Sequence, residues 1–316
     1  MKRILLLPVL LILAVPAVRA QNPFITHMYT ADPSGRVFDG TLYVYPSHDQ
    51  DTATTFSMVD WHVFSTTDMK HWTDHGVALH LDEISWAEKN AWAPDCIEAN
   101  GKYYFYYPTD QFHIGVAVGD HPWGPFRDPI DKPLISKDTK GVICNRDFID
   151  PAAFIDDDGQ AYLFMGQNAV NAIRLNPDMV SYDGEVHIIE GTDHFFEAIW
   201  VHKHRGKYYL SYSGEGEIQY AMSDHILGPY EFKGTILQKM NSGTNHHSIV
   251  EYKGKWYLFY HNSDLYFSRN PDEKPEHNWS GVSPFRRSIC VDELFYNEDG
   301  TIREVIPTRE GVAGVD

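Results

Sequence analysis

The sequence is poor in cysteine and in basic residues, and each shortage argues against a class of protein. Among 316 residues there are only 3 cysteines, and neither a CxxC nor an HExxH pattern occurs, so a zinc site has no motif support. Lysine and arginine together number 26 against 44 aspartates and glutamates, which leaves a net charge of −18 at pH 7. Because nucleic-acid binding needs basic surface, we expect no nucleic-acid partner.

The three cysteines are Cys96, Cys144 and Cys290. One pair is enough for a single disulfide bridge, but the spacing does not say which pair, and one thiol is always left over. The simpler interpretation is that all three are small buried side chains.

Long hydrophobic runs are absent except at the N-terminus. Lys2 and Arg3 precede an apolar stretch from Ile4 to Val15, and Ala20 offers a small residue at a cleavage position. The stretch is too short for a comfortable membrane span and is typical of a signal peptide. We therefore expect residues 1–20 to be a signal peptide and the protein to be exported, periplasmic or extracellular, without stable membrane association.

One strand signal, Gly-x-x-Tyr or a close variant followed by more aromatic residues, occurs five times. The copies are Gly40–Pro46 (GTLYVYP), Gly101–Tyr107 (GKYYFYY), Gly159–Met165 (GQAYLFM), Gly206–Tyr212 (GKYYLSY) and Gly254–Tyr260 (GKWYLFY). Their spacings are 61, 58, 47 and 48 residues. Periods near 50 with several strands each are typical of β-propellers, whose blades are four-stranded sheets. The pattern predicts an all-β, five-bladed β-propeller that forms a single domain over residues 21–316.

An ionisable residue precedes each strand signal by six to nine positions: Asp32, Asp95, Asp150, Glu197 and His246. The segment before each hairpin turn is expected to be the innermost strand of its blade. These side chains are therefore predicted to meet near one end of the central channel. Their recurrence favours a shared site over the alternatives of turn capping and structural ion pairing.

Opposed carboxyl groups are what hydrolysis of a glycosidic bond requires. One carboxylic acid protonates the leaving oxygen, while a carboxylate about 6.5–9.5 Å away activates water and inverts the anomeric centre. A third acid nearby raises the pKa of the proton donor by like-charge repulsion. Trp92, Phe195 and Phe196 are interpreted either as a sugar platform or as ordinary core.

The acidic motifs resemble those of glycoside hydrolase family 43, in the same order. The matching segments are Ala31-Asp32-Pro33-Ser34, Ile149-Asp150-Pro151, Phe196-Glu197-Ala198, Trp92-Ala93-Pro94-Asp95 and Asn245-His246-His247-Ser248. The resemblance implies a five-bladed propeller and inversion of configuration. It also implies Asp32 as general base, Glu197 as general acid, and Asp150 as the residue that orients the acid and tunes its pKa.

Several further residues are candidates for contact with the substrate. Trp92, Asp95, Phe195 and Phe196 are expected there, together with the histidine pair. The family's Gly-His-Asn-Ser reads Asn-His-His-Ser in this chain, so the central histidine is His246, with His247 as the alternative. Arg286 or Arg287 is a further candidate from the last blade.

The family often holds a channel cation, commonly calcium, beside this histidine. We expect acid–base catalysis to require no cofactor, with a water-mediated calcium ion at His246 as the alternative.

The resulting hypothesis is an exo-acting hydrolase, expected to be a monomer, that removes α-L-arabinofuranose or β-D-xylose from pentose-containing oligo- or polysaccharide. An endo-acting xylanase or arabinanase is an alternative that depends on loops such as Pro46–Trp61 and Lys132–Arg146. A noncatalytic carbohydrate-binding propeller is the alternative from another class. It is disfavoured because sugar binding alone needs no opposed acid and base.

Overall fold

The described part of the chain is built almost entirely from β-strands. The computed structural model describes residues 21–273 and 283–316, so the expected signal peptide lies outside the described residues. The first two sheets contain β1 (Tyr29–Phe38), β2 (Thr41–Asp49), β3 (Asp60–Thr66), β4 (Thr73–His80), β5 (Asp95–Ala99), β6 (Lys102–Thr109), β7 (His113–Gly119) and β8 (Ile135–Ser136).

The remaining strands form three further sheets. They are β9 (Ala152–Ile155), β10 (Ala161–Met165), β11 (Asn171–Arg174), β12 (His187–Ile188), β13 (Glu197–His204), β14 (Lys207–Gly214), β15 (Glu217–Ser223), β16 (Glu231–Leu237), β17 (His247–Tyr252), β18 (Lys255–Asn262) and β19 (Ser288–Leu294). One short α-helix, α1 (Asp264–Arg269), occurs among the described residues, together with two single-turn 3₁₀ helices. None of the helices in this part of the chain is long and apolar enough to cross a membrane.

Each sheet is an antiparallel meander whose first strand lies innermost. The strands β1, β5, β9, β13 and β17 contact one another in that order, and β17 returns to contact β1. Four sheets have four strands and the last has three. This arrangement is a five-bladed β-propeller, which confirms the fold predicted from the repeat.

The repeated glycines occupy the turns between the first and second strands of the blades. At Asn100-Gly101 both residues have positive φ, 55° and 70°, as a type I′ turn requires. Asp39-Gly40 has the same form, with φ of 47° and 74°. Each upstream ionisable residue accordingly lies on an innermost strand or, for Asp150 and His246, just before one.

The N-terminal segment closes the ring by lying along the three-stranded last blade. The backbone N–H of Phe24 donates to the carbonyl of Ile289 on β19 at 3.3 Å. The side-chain oxygen of Asn22 accepts the N–H of Val291 at 2.9 Å, and its amide donates to the Val291 carbonyl at 3.0 Å. The free edge of β19 is thus partly covered by the start of the chain.

Aromatic side chains fill the space between neighbouring blades. Trp61 of the first blade packs edge-on against Phe105 of the second, with ring centroids 5.6 Å apart, and both are fully buried. The cysteines are unbridged: Cys96 and Cys290 are buried, and Cys144 is partly buried. The simpler interpretation of the cysteines is therefore confirmed for two of the three.

Asp95 lies on the propeller axis but contacts other blades rather than a substrate cavity. Its carboxylate accepts hydrogen bonds from the Ser34 hydroxyl at 2.6 Å and from the Arg36 guanidinium, both in the first blade. It also accepts the N–H of Ala153 in the third blade at 2.7 Å. The guanidinium of Arg36 in turn stacks on Trp200 of the fourth blade, 4.2 Å from the ring centroid. Asp95 therefore joins blades, and the prediction that it contacts substrate is corrected.

We predict that Asp95→Ala lowers the free energy of unfolding by about 3–5 kcal/mol, because it leaves the largely buried Arg36 without its partner. Denaturant unfolding of the purified variant measures this loss. Asp120→Ala is the matched control, since Asp120 forms an exposed pair with Lys102 and its loss is expected to leave the unfolding midpoint nearly unchanged. Equal midpoints for the two variants would contradict the inter-blade role.

Candidate active site

A cavity of about 650 Å³ opens at one end of the propeller axis. All three predicted catalytic acids line it, together with residues from several loops: Asp32, Asp150, Glu197, His246, Arg287, Trp92, Phe196, Gln167, Arg146 and Asp147. The size is typical of a small-molecule site. The structure therefore brings the acids of the first, third and fourth blades to one cavity.

The acids lie where the innermost strands depart from regular geometry. Asp32 has a φ of 51° and falls in a β-bulge of β1 between Ala31 and Ser34. Asp150, just before β9, has a φ of 58°, and Ala198, directly after Glu197, has a φ of 63°. Left-handed backbone at such residues is uncommon and re-aims side chains, as bulges near active sites often do. The irregularities turn these carboxylates toward the axis.

Asp32 is held in its ionised form. Burial is the largest single effect and raises its pKa, while the Arg287 guanidinium at 2.8 Å is the strongest effect in the opposite direction. His246, His261 and a 2.5 Å hydrogen bond from the Ser47 hydroxyl lower the pKa further, to about 2. The N–H of Asp32 donates to Nδ1 of His261 at 3.1 Å, which fixes the backbone.

Arg287 is itself fixed by a second carboxylate. Its Nη2 and Nε donate to the two carboxylate oxygens of Asp49 at 2.8 and 2.9 Å, while its Nη1 reaches Asp32. Such a bidentate pair defines the guanidinium orientation. Burial lowers the pKa of Arg287, but the two aspartates outweigh it, so the pKa is raised and the charge is permanent. The arginine is therefore a fixed cation beside the predicted base.

Glu197 has the opposite electrostatic surroundings. Its pKa is raised to about 7, chiefly because burial exceeds the lowering by the hydrogen bond that the Gln167 amide donates at 2.7 Å. The charge of Asp32 contributes to this rise, and the charges of Arg287 and Arg146 oppose it with smaller effects. Glu197 is thus able to hold a proton near neutral pH.

Asp150 titrates together with Glu197. Burial raises the pKa of Asp150, and the negative charges of Glu197 and Asp32 raise it further. The Ala198 N–H donates to Asp150 at 2.6 Å and partly offsets this by stabilising the carboxylate. Since two bare charges in one dry site repel each other, the pair retains a proton more readily than either acid alone.

The structure distinguishes the two neighbouring histidines. His246 lines the cavity, with its Nδ1 3.6 Å from Asp32 and 3.9 Å from Asp150. Burial lowers its pKa to about 4, so the ring is neutral near pH 7. His247 does not line the cavity and instead contacts the hydroxyl of Ser211 at 2.6 Å. Of the two histidines, only His246 is therefore placed to contact a substrate in the cavity, and the prediction that His247 does so is corrected.

The expected aromatic platform is divided between cavity and core. Trp92 and Phe196 line the cavity, and the indole N–H of Trp92 is fixed by the Phe56 carbonyl at 2.9 Å. Phe195 points away and packs edge-on against Tyr212, with centroids 5.6 Å apart. For Phe195 the core alternative holds, because adjacent residues in an extended segment face opposite sides.

Several cavity residues were not predicted from sequence. Gln167 lies two residues after the end of β10, and Arg146 and Asp147 come from the loop before Asp150. None of the three has a counterpart in the repeat, so spacing gave no signal for them. Of the two arginine candidates, Arg287 lines the cavity and Arg286 does not.

The donor atoms around His246 do not form a calcium cage. Calcium takes six to eight oxygen ligands, whereas the neighbourhood of His246 offers an imidazole, carboxylates and the Arg287 cation. Among the described residues, no group of three histidine, cysteine or carboxylate ligand atoms that includes His246 comes close enough to hold a metal. Direct calcium ligation is therefore not supported, and the water-mediated ion stays a prediction.

The fold and the paired acids define this protein as a propeller of the glycosidase class, and comparisons with known proteins agree. The family model "Glycosyl hydrolases family 43" matches residues 20–302. Xylosidase/arabinosidase 43A of Humicola insolens is 38% identical, over 89% of this chain and 98% of its own length.

Two solved structures show the same relationship. A β-xylosidase/α-arabinofuranosidase from a compost microbial metagenome, solved with xylotriose in a calcium-free form, is 39% identical with a TM-score of 0.78. The match covers 92% of this chain and 98% of that one. An α-L-arabinofuranosidase from Clostridium thermocellum is also 39% identical, with a TM-score of 0.75, over 92% and 97% of the two chains.

The chain belongs to glycoside hydrolase family 43, and it is a glycosidase. The family resemblance seen in the sequence motifs is confirmed. Membership in this family also favours catalysis over the noncatalytic sugar-binding alternative.

We predict that Arg287→Met lowers the free energy of unfolding by about 3–5 kcal/mol, because Asp32 and Asp49 lose the buried cation between them. Arg286→Met is the matched control. Arg286 makes one 3.3 Å hydrogen bond to a carbonyl and no carboxylate pair among the described residues, so a smaller loss is expected. Denaturant unfolding at pH 7 compares the variants, and an equal loss in both would contradict the prediction.

Proposed function

We propose that this protein is an exported, inverting, exo-acting glycosidase that removes α-L-arabinofuranose or β-D-xylose units from pentose-containing oligo- or polysaccharide. The observation that carries the mechanism is the contrast between two carboxyl groups of one cavity. Asp32 is held ionised by Arg287, whereas burial holds the pKa of Glu197 near 7. One group is thus ready to accept a proton and the other to donate one.

In the proposed reaction Asp32 acts as general base and Glu197 as general acid. The Asp32 carboxylate takes a proton from a water molecule as the oxygen of that water attacks the anomeric carbon. Glu197 gives its proton to the departing glycosidic oxygen, which leaves as an alcohol. Because the water attacks from the face opposite the leaving group, the configuration inverts.

Asp150 and Gln167 act on the acid rather than on the substrate. Asp150 is coupled to Glu197 through charge and also fixes the adjacent Ala198 N–H. Gln167 donates to one Glu197 oxygen and so restrains the carboxyl group. Their proposed role is to orient the proton donor and keep its pKa near the working pH.

The sugar specificity is supported by the relatives. Proteins named xylosidase/arabinosidase in Humicola insolens and Bacteroides ovatus align over most of their length with this chain. Trp92 and Phe196 supply aromatic surface for an apolar sugar face. Removal of terminal units is favoured because loop residues 55–59 and Arg146–Asp147 form walls of the cavity.

Export is proposed from the N-terminal sequence. The basic start, the apolar stretch and the small residue at position 20 are the features of a cleavable signal peptide. The saccharide substrate of the proposal is a molecule found outside the cell, which is consistent with that destination.

We predict that Glu197→Gln and Asp32→Asn each reduce kcat/KM on a pentoside by about 10²–10⁴-fold, because each removes one proton-transfer group. Aryl α-L-arabinofuranoside and aryl β-D-xyloside are the assay substrates, and Glu98→Gln on the exposed surface of β5 is the matched control. Full activity in either catalytic variant would refute the role assigned to that residue.

The same assay, followed by proton NMR, tests inversion. The first-formed sugar should have the anomeric configuration opposite to that of the substrate, and retention would contradict the mechanism. Failure on both aryl pentosides, with turnover of another glycoside, would refute the sugar class while leaving the glycosidase intact.

We predict that kcat/KM falls as the pH rises through about 7, because the acid Glu197 must be protonated and burial raises its pKa to about 7. The base Asp32 stays ionised above its pKa of about 2, so it causes no loss of activity at mildly acidic pH. The hydrogen bond from Gln167 favours ionised Glu197, so Gln167→Met should move the basic limb upward by about 0.5–1 pH unit.

The pH–rate profiles of the parent and variant proteins measure this shift. Gln238→Met, at an exposed position outside the cavity, is the control and should leave the profile unchanged. A basic limb that stays in place or moves to lower pH in Gln167→Met would contradict the assigned proton donor.

A further inference from the structure

Three ligand-type side chains meet on the first blade without lining the catalytic cavity. They are His48 at the end of β2 and Asp60 and His62 at the start of β3. Asp60 and His62 are two residues apart and so face the same side of the sheet. The pairing of Ser47 with Trp61 places His48 opposite Asp60. One ligand atom from each of the three lies within 4.8 Å of the others.

The group is largely withdrawn from solvent. The side chains of His48, Asp60 and His62 are only 17%, 13% and 12% exposed. Nδ1 of His48 lies 2.6 Å from Oδ1 of Asp60, and the two imidazole rings are 5.1 Å apart between centroids. The three side chains are therefore fixed before any ligand arrives, while an ion still has access from solvent.

A second carboxylate supports the group from outside. Oδ1 of Asp74 lies 3.3 Å from Nδ1 of His62, and its Oδ2 lies 2.8 Å from Nε2 of His27. A carboxylate on one imidazole nitrogen is the usual partner of a histidine whose other nitrogen binds a metal. The contact with Asp74 thus leaves Nε2 of His62 for a ligand.

We propose that His48, Asp60 and His62 form a binding site for a divalent first-row transition-metal ion such as Zn²⁺. Two imidazole nitrogens and one carboxylate oxygen suit zinc, cobalt, nickel or copper, whereas calcium and magnesium prefer oxygen ligands. Three protein ligands leave the fourth tetrahedral position to water. The sequence has no zinc motif because the ligands come from two strands of a hairpin rather than from one short segment.

The alternative is a simple ion pair between His48 and Asp60. Nδ1 of His48 and Oδ1 of Asp60 lie 2.6 Å apart, and a hydrogen bond between the two side chains is enough to explain that contact. The ion-pair alternative does not require His62, which is the residue that separates the two interpretations.

The site has a structural consequence for the catalytic cavity. The strands β2 and β3 flank residues 50–59, and five residues of that segment, 55–59, form part of the cavity wall. An ion bound by His48, Asp60 and His62 cross-links the two ends of this segment. Metal binding is therefore expected to stabilise the hairpin that carries the wall.

The experiment uses the full exported chain without a histidine tag, dialysed against chelator and then titrated with ZnCl₂ by calorimetry. We expect one zinc ion per chain, with a Kd of about 10 μM or tighter. Co²⁺ should give the visible absorption of a tetrahedral nitrogen–oxygen site. At saturating zinc the melting temperature should rise by about 2 °C or more.

Variants identify the ligands. His62→Gln should weaken zinc binding by more than about tenfold, and Asp74→Asn by about tenfold through loss of the orienting contact. His71→Gln is the matched control, because exposed His71 pairs with Asp68 through a similar contact. The zinc affinity of this variant should equal that of the parent protein. Circular dichroism of the metal-free proteins checks folding, and Asp74→Asn decides the matter if His62→Gln does not fold.

Three results would overturn the proposal. The first is a zinc affinity weaker than about 1 mM in the parent protein, which would leave only the ion pair. The second is undiminished affinity in a folded His62→Gln or, failing that variant, in Asp74→Asn. The third is loss of binding in His246→Gln but not in His62→Gln, which would place the ion in the catalytic channel.

Discussion

The structure depends on how negative charge is accommodated along a dry propeller axis. Five innermost strands converge there, and four of them contribute a carboxylate at or beside the strand start: Asp32, Asp95, Asp150 and Glu197. Ionised carboxylates are costly to bury unless they are paired with cations or keep a proton. Both arrangements, pairing with a cation and retention of a proton, occur along the axis. Which of them applies to a carboxylate, and where its partner lies, decides whether that residue supports the fold or the proposed reaction.

Two arginines account for this division. Arg36 binds Asp95 of the second blade and also contacts the third and fourth blades, so this carboxylate serves to join the blades. Arg287 binds Asp32 while leaving it on the cavity wall, which gives an ionised group that faces the cavity. Asp150 and Glu197 have no arginine bonded to them among the described residues, and they respond to burial by retaining a proton. The guanidinium of Arg287 is thus the largest effect that lowers the pKa of the proposed base, whereas burial is the largest effect that raises the pKa of the proposed acid.

The features that could be predicted from the sequence are those that the five-fold repeat determines. Glycine turns and aromatic strands specify the blades, so the register correctly placed Asp32, Asp150 and Glu197 at one cavity. The repeat does not say which side chain at equivalent positions finds a partner, which is why Asp95 was misplaced. That partner, Arg36, lies on β1, and the alternation of residues along this strand does not predict an ion pair with another blade. Single features outside the repeat, such as Gln167, left no periodic signal at all.

The contacts that close the propeller ring also set the electrostatics of the site. Asp32 belongs to the first blade and Arg287 immediately precedes the last strand, β19, 255 positions later in the sequence. The backbone N–H of Thr30 donates to the carbonyl of Arg287 at 3.0 Å, so the strand contacts that join the chain's two ends also fix the arginine. Until the last blade meets the first, the axis lacks the cation that lowers the pKa of Asp32. The competence of the proposed base therefore depends on completion of the entire propeller rather than on any single blade.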